Sequence, residues 1–252
     1  MKKQYKTKQF VNIKITLLLC FIFFKTIAQN NSSDSISNRT INYKSFILPS
    51  TLIGYGLVAL HNPALISFDN SIQKNFDMAQ TNHIDDVTML LPAASVYGLN
   101  MFGIKGKHNF KINTLIFGTA SVIVLGSVLA TKSITKKERP NGESNDSFPS
   151  GHTAISFMGA EFLYQEYKHL SIWYGIIGYG IATSTAYLRV HNNKHWFSDV
   201  VAGAGFGILS TKIAYALHPY LQRKLFKSKT ATTIINPFYN GEHIGLSFMK
   251  NF

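Results

Sequence analysis

A chain of 252 residues with 46% hydrophobic side chains is long enough for one large domain, or one helical bundle with a tail, and too short for several. Of the formal charge of +13, +6 lies at the start, where Lys2, Lys3, Lys6, Lys8, Lys14 and Lys25 fall among 28 residues that hold no acid. Without them 19 basic and 12 acidic side chains leave +7, and no nucleic-acid partner is expected.

The basic start runs into ITLLLCFIFF and then Thr26-Ile27-Ala28, the charged, apolar and small-residue order of a secretory signal, so residues 1–28 are predicted to be an export signal. The only cysteine, Cys20, lies inside that apolar run. Its removal would leave a mature chain without disulfides or cysteine-based metal sites. Residues 29–44 are polar, rich in Ser and Asn and without apolar period, and read as a flexible linker.

From residue 45 the chain turns apolar. Pro63 punctuates it, and residues 69–78 have the spacing of a short amphipathic helix with Ile72, Phe76 and Met78 inward. Four long apolar segments follow, at 87–104, 112–130, 172–188 and 200–217, with a weaker one at 154–164. Their lengths, and their content of Gly, Ala and Ser, suit close-packed membrane helices. The expected fold is all-α, a bundle of about five to six mostly membrane-spanning helices over residues 45–222. A soluble helical bundle is the alternative. Residues 223–252 form a tail in which Asn240-Gly241, flanked by β-branched and aromatic residues, predicts a β-hairpin or an extended segment. The basic connections KGKHNFK at 105–111 and QRKLFKSK at 222–229 would stay in the cytoplasm. Alternating spans then bring 131–151 and 189–195 together on the exported face.

Three polar clusters interrupt this apolar chain. KSITKKERP carries Lys132 and Arg139, with Pro140 expected to stop the helix; SFPSGHTA carries Ser150, Gly151 and His152; RVHNNKHWFSD carries Arg189, His195 and Asp199. Pro149-Ser150-Gly151 breaks the chain before an apolar helix, so amides of Ser150, Gly151 and His152 fall near a helix N-terminus, a place where anions bind. His195 and Asp199 are four apart and share a helix face, so the carboxylate can hold one ring nitrogen and leave the other as a nucleophile. Arg189 can fold back over the same pocket as a bidentate ligand for oxygens. Taken singly, each has an ordinary reading: interfacial anchors for Lys132 and Arg139, helix-end histidines, an N-cap serine, a first-turn acid. Glu143 and Asp146 read as solvated or as partners of Lys136 and Lys137, and Trp196 as an interfacial aromatic. Together, three permanent cations, a helix N-terminus, one histidine with an acid partner and one without form the inventory for phosphoryl transfer through a phosphohistidine.

Lys132 with six residues to Arg139-Pro140, then Pro149-Ser150-Gly151-His152, then Arg189 with five residues to His195 and three to Asp199, resembles the three-part signature of the type 2 phosphatidic acid phosphatase family. Its superfamily includes bacterial acid phosphatases and vanadium haloperoxidases. Leu188 departs from the pattern, since the family often has Ser before the Arg. The resemblance implies His195 as nucleophile, Asp199 as its orienting acid, and His152 as general acid and then base. Lys132, Arg139, Ser150, Gly151 and Arg189 would hold the phosphate, with no metal and no cofactor. It further implies a phosphomonoester or pyrophosphate phosphatase at the membrane, acting on a phosphorylated lipid from the periplasmic face of a bacterial inner membrane. A soluble periplasmic acid phosphatase and a vanadium-dependent haloperoxidase are the alternatives.

Overall fold

The computed structural model describes residues 43–76 and 83–226, and the backbone of 233–239 and 244–250. The expected signal, most of the linker and the turn at Asn240-Gly241 lie outside the described residues. Eight α-helices are present among those described. A 3-10 turn at Tyr43–Phe46 leads into α1 (Ile47–Ala59), followed by α2 (Pro63–Lys74), α3 (Ile84–Thr88), α4 (Leu91–Met101), α5 (Phe110–Thr135), α6 (Gly151–Tyr167), α7 (Trp173–His191) and α8 (Phe197–Leu225). Two strands, β1 (Thr233–Tyr239) and β2 (Ile244–Lys250), pair antiparallel with Thr233 opposite Lys250 and Tyr239 opposite Ile244, the hairpin that the turn residues predict.

Helix α8 is the axis of the bundle, packing against α1, α5 and α6, while α6 also carries α4 and α7. Close approach explains its glycines. A Cβ on Gly203 would fall 2.6 Å from the Ser150 carbonyl oxygen, one on Gly207 would fall 2.2 Å from that of Ala154, and one on Gly205 would meet the Pro49 carbonyl at 2.7 Å. Two glycine faces of one helix thus receive α6 and α1 backbone to backbone, the small-residue packing of membrane helices. Around that contact Ile116, Val124, Ala154, Met158 and Phe162 form the core.

Length and apolar character single out α5 and α8 as membrane spans, with a third if α1 and α2, bent by 94° at the intervening break, count as one broken span. The predicted segment at 87–104 is instead divided between α3 and α4. Pro63 starts a helix rather than ending one: it occupies the first turn of α2, where a missing N–H is harmless, and the Asn62 side chain caps the Ala64 and Leu65 amides. Likewise α5 stops at Thr135 without help from Pro140, because Lys136 adopts a left-handed conformation at φ 44°. Exposed Val122, Leu125, Leu129 and Ile134 give α5 an apolar outer face. The molecule is an integral membrane protein of helical class.

Candidate active site

The three sequence clusters meet at one end of the bundle. The 136–150 connection, the 192–196 connection and the N-termini of α6 and α8 are tied by main-chain bonds: the Ser150 amide donates to the Asp199 carbonyl at 3.0 Å, and both Lys194 and His195 amides return to the Arg189 carbonyl. The Trp196 indole donates to the Glu138 carbonyl at 2.8 Å, so this ring braces two loops where an interfacial position was expected.

His195 is 1% exposed, and its Nδ1 lies 2.8 Å from the Ser147 carbonyl oxygen. A carbonyl only accepts, so Nδ1 donates and the neutral ring keeps its lone pair on Nε2. The expected direct bond to Asp199 is absent, Nδ1 and Oδ2 being 3.9 Å apart. Asp199 is the third residue of α8, and from there its Oδ2 turns back to accept the Trp196 amide at 3.0 Å and the Ser147 hydroxyl at 2.5 Å. The acid therefore orients His195 through Ser147 and acts on the ring by charge. Burial pushes the His195 pKa down to about 4, against the pull of Asp199, and the charges of Arg189 and Lys132 add to the fall. The ring is neutral at pH 7.

Lys137, which the sequence reading considered only as a partner for Glu143 or Asp146, completes this assembly. Its Nζ reaches Asp199 Oδ1 at 2.8 Å, Ser198 Oγ at 3.1 Å and Asp69 Oδ2 at 3.6 Å. Asp69, from α2, also accepts the Ser198 amide at 3.0 Å, which pins the start of α8. Nothing in KKER separates the lysine that points inward from its neighbour.

The three cationic phosphate-binding candidates all carry counter-ions. Lys132, in the last turn of α5, donates to the Asp146 carbonyl and lies 3.5 Å from its carboxylate. Arg139 grips the same carboxylate through Nε at 2.8 Å and Nη2 at 3.0 Å. Asp146 was expected in solvent or on Lys136 or Lys137; the bidentate guanidinium fork, reinforced by the Ser144 hydroxyl, outcompetes a single ammonium. Although burial opposes the charge, the bonds from Ser144 and Arg139 and the nearby Lys132 hold Asp146 below the usual carboxylate range. Glu143 goes to Lys194, at 2.6 Å.

Arg189 is buried and donates to Asp85 Oδ2 at 2.6 Å. The next residue, Asp86, accepts from His152 Nε2 at 2.8 Å through Oδ1. Both acids come from α3, five residues long, so the second histidine also has an acid partner, contrary to the sequence reading. The pair of acids in HIDDV was the available signal. It lay just before the predicted span at 87–104 and was given no role.

Ser150 occupies the N-cap position of α6 without capping it: its hydroxyl pairs with Thr153 Oγ1 at 2.9 Å, and its amide is committed to Asp199. That removes Ser150 from the expected set of amide donors and leaves Gly151 and His152 in a first turn with no side-chain cap. A Cβ on Gly151 would meet only Val128, at 3.9 Å.

Donor atoms of Asp85, Asp86 and His152 lie within 4.8 Å of one another, close enough to hold a metal ion. With the Arg189 guanidinium bonded into the same group, a divalent cation there would meet a fixed like charge. We assign the group to charge pairing.

Residues 112–223 match the model of the PAP2 superfamily. Among characterised proteins the chain is similar to lipid A 1-phosphatase of Porphyromonas gingivalis, with 35% identity over 150 residues, 58% of this chain and 34% of that protein. It is also similar to phosphatidylglycerophosphatase B of Bacillus subtilis, with 29% identity over 174 residues, 60% of this chain and 83% of that one. The chain thus spans about a third of the first relative's length. Two solved structures are similar: the transmembrane PAP2-type phosphatidylglycerolphosphate phosphatase from Bacillus subtilis (23% identity, TM-score 0.45, 70% of this chain and 98% of that one) and LpxE from Aquifex aeolicus (21%, 0.41, 73% and 99%).

Proposed function

From the premise that residues 112–223 belong to the PAP2 superfamily, we propose that this protein is a lipid phosphate phosphatase working through a phosphohistidine on His195. The carrying observation is the state of that ring: buried, neutral, with Nδ1 held by the Ser147 carbonyl, so that Nε2 is the nitrogen able to attack. Nε2 forms a bond to phosphorus as the bond from phosphorus to the leaving oxygen breaks, and the His152 imidazolium gives that oxygen its proton. Water then attacks phosphorus with neutral His152 taking its proton, the P–N bond breaks, and phosphate leaves.

Lys132 and Arg139 compensate the charge on the phosphoryl oxygens in exchange for the Asp146 carboxylate, and Arg189 adds its charge while it stays on Asp85. Gly151 lets an oxygen approach the first turn of α6. Spans at α5 and α8 favour a phosphate carried on a lipid, presented at the bilayer surface. The named relatives act on lipid A 1-phosphate and phosphatidylglycerophosphate by their names, and those two classes head the substrate panel. The basic start followed by an apolar run and small residues favours an export signal at 1–28, and the positive connections at 105–111 and 222–229 favour a site on the periplasmic face.

The test is phosphate release by detergent-solubilised full-length protein from a panel of lipid monophosphates and diphosphates, with EDTA present. Turnover is expected in wild type and a fall of at least about 10⁴-fold in His195→Ala. Because the nucleophile must be neutral, kcat/KM should fall as pH drops through about 4. Turnover in His195→Ala equal to wild type would overturn the proposal.

A further inference from the structure

We infer that Asp86 is a positioning residue for His152, fixing the ring so that Nε2 stays on the carboxylate and Nδ1 carries the proton to and from the reacting oxygens. The inference rests on the phosphatase reading above and adds a residue lying outside the matched segment 112–223.

Adjacent side chains on a helix point about 100° apart, so Asp85 and Asp86 face different partners from a single short element. Asp85 is the anchor: 2% exposed, it takes the Arg189 guanidinium at 2.6 Å and lies 3.4 Å from the Asn192 amide. A second tie joins α3 to α7, the Thr185 hydroxyl donating to Thr88 Oγ1 at 2.9 Å. With α3 held at both ends, Asp86 Oδ1 is delivered to His152 Nε2 at 2.8 Å, while its other oxygen lies 3.4 Å from His83 Nδ1. The charged groups acting on His152 are Asp86 and Asp85 from α3 and Arg189 from α7.

These groups oppose one another. Burial and then Arg189 hold the proton affinity of His152 below the ordinary imidazole value, and Asp86, then Asp85, offset part of that fall. A general acid must hold its proton until the leaving oxygen takes it, and Asp86 is the group supplying that hold. The imidazolium has two N–H groups. With Nε2–H donated to Asp86, Nδ1–H is the one left for the leaving oxygen, and after transfer the Nδ1 lone pair accepts a proton from water. Each ring of the site thus keeps one nitrogen on a protein oxygen, Ser147 O for His195 and Asp86 for His152, and frees the other for chemistry. Asp86 is half exposed, so substitution there leaves the core intact.

The experiment compares wild type, Asp86→Asn, Asp86→Glu and His195→Ala as full-length protein in detergent with EDTA, on whichever lipid phosphate wild type hydrolyses best. Asp86→Asn should lower kcat by about 10-fold to 100-fold, change KM less than about threefold, and move the high-pH limb of kcat to lower pH, since a ring without its carboxylate loses its proton sooner. Asp86→Glu should restore part of the rate and the position of the limb. A profile for Asp86→Asn that overlays wild type, or falls equally at every pH, overturns the inference while leaving the His195 reading standing. A rate above wild type also overturns it, showing that Asp86 merely stands where substrate binds. Absence of turnover in wild type on every lipid phosphate would overturn both.

Discussion

Carboxylates sit at both ends of the bundle, under different terms. At the candidate site Asp86, Asp146 and Glu143 are 49%, 45% and 55% exposed in their side chains, each bound to a cation or imidazole by bonds that water can reach, while Asp85 and Asp199, which fix α3 and the start of α8 there, are 2% and 0% exposed. Roughly 22 Å along α6, by the helical rise, Glu166 is fully buried. Its carboxylate accepts the His108 amide at 2.9 Å, His108 Nδ1 at 2.7 Å and the Tyr215 hydroxyl at 2.5 Å. Between the two ends Glu161, 2% exposed, is held by Lys212 and Gln165 at 2.7 and 2.6 Å and by Tyr179. Acids whose place an incoming phosphate could take are wet. Acids that fix the helices are dry and fully bonded, and nothing in the reaction would require them to move.

The largest effect should come from breaking the dry end. Glu166→Ala strands two donors of His108 and one of Tyr215 and should destabilise the protein by about 3–5 kcal/mol, read as a lowered thermal midpoint in detergent. The protein that remains folded should keep its turnover number. If turnover collapsed while the midpoint held, the division between scaffold acids and site acids would fail.

Lys137 tests the boundary between the two classes, since it is itself part-exposed yet serves the fully buried Asp199. Lys137→Met leaves that carboxylate with the Ser147 hydroxyl and the Trp196 amide, so the loss should be smaller, about 2 kcal/mol, because only one of its partners is gone. Because Ser147 also fixes His195, kcat should drop alongside the midpoint, by roughly tenfold. A fall in stability without any change in kcat would make Lys137 purely a scaffold residue.

The same division explains what could be read from the chain alone. His152, Arg189 and His195 were legible because their spacing is local to loops and helix starts, and the helical class followed from apolar runs. What stayed hidden were partners set by packing. Asp85 and Asp86 reach residues more than sixty positions away, Lys137 differs from Lys136 only in the direction imposed by a left-handed residue, and the carbonyl of Ser147 has no side-chain signature at all. Asp199 was placed beside His195 correctly by its i+4 spacing, but that spacing could not reveal that helix-start amides and Ser147 compete for the carboxylate. The glycine faces of α8 were visible as composition. Their meaning needed the two helices that press on them.

Asp146 gives the smallest effect and the finest reading of the wet end. It binds Arg139 in bidentate fashion and Lys132 through both carbonyl and carboxylate, so in the free protein it compensates two of the three cations that a phosphate would use. Asp146→Asn keeps the backbone carbonyl on Lys132 and a side-chain oxygen near Arg139 while removing the charge. A phosphate entering the variant displaces an amide in place of a carboxylate, and exposed pairs of this kind are worth at most about 1 kcal/mol, so inorganic phosphate should inhibit the variant up to about fivefold more tightly than wild type. The difference should shrink as salt is added, since the removed interaction is screened by water and ions. Weaker inhibition in the variant would mean that Asp146 holds Arg139 in place for the substrate, which would move this acid from the exchangeable group into the positioning group that Asp86 occupies.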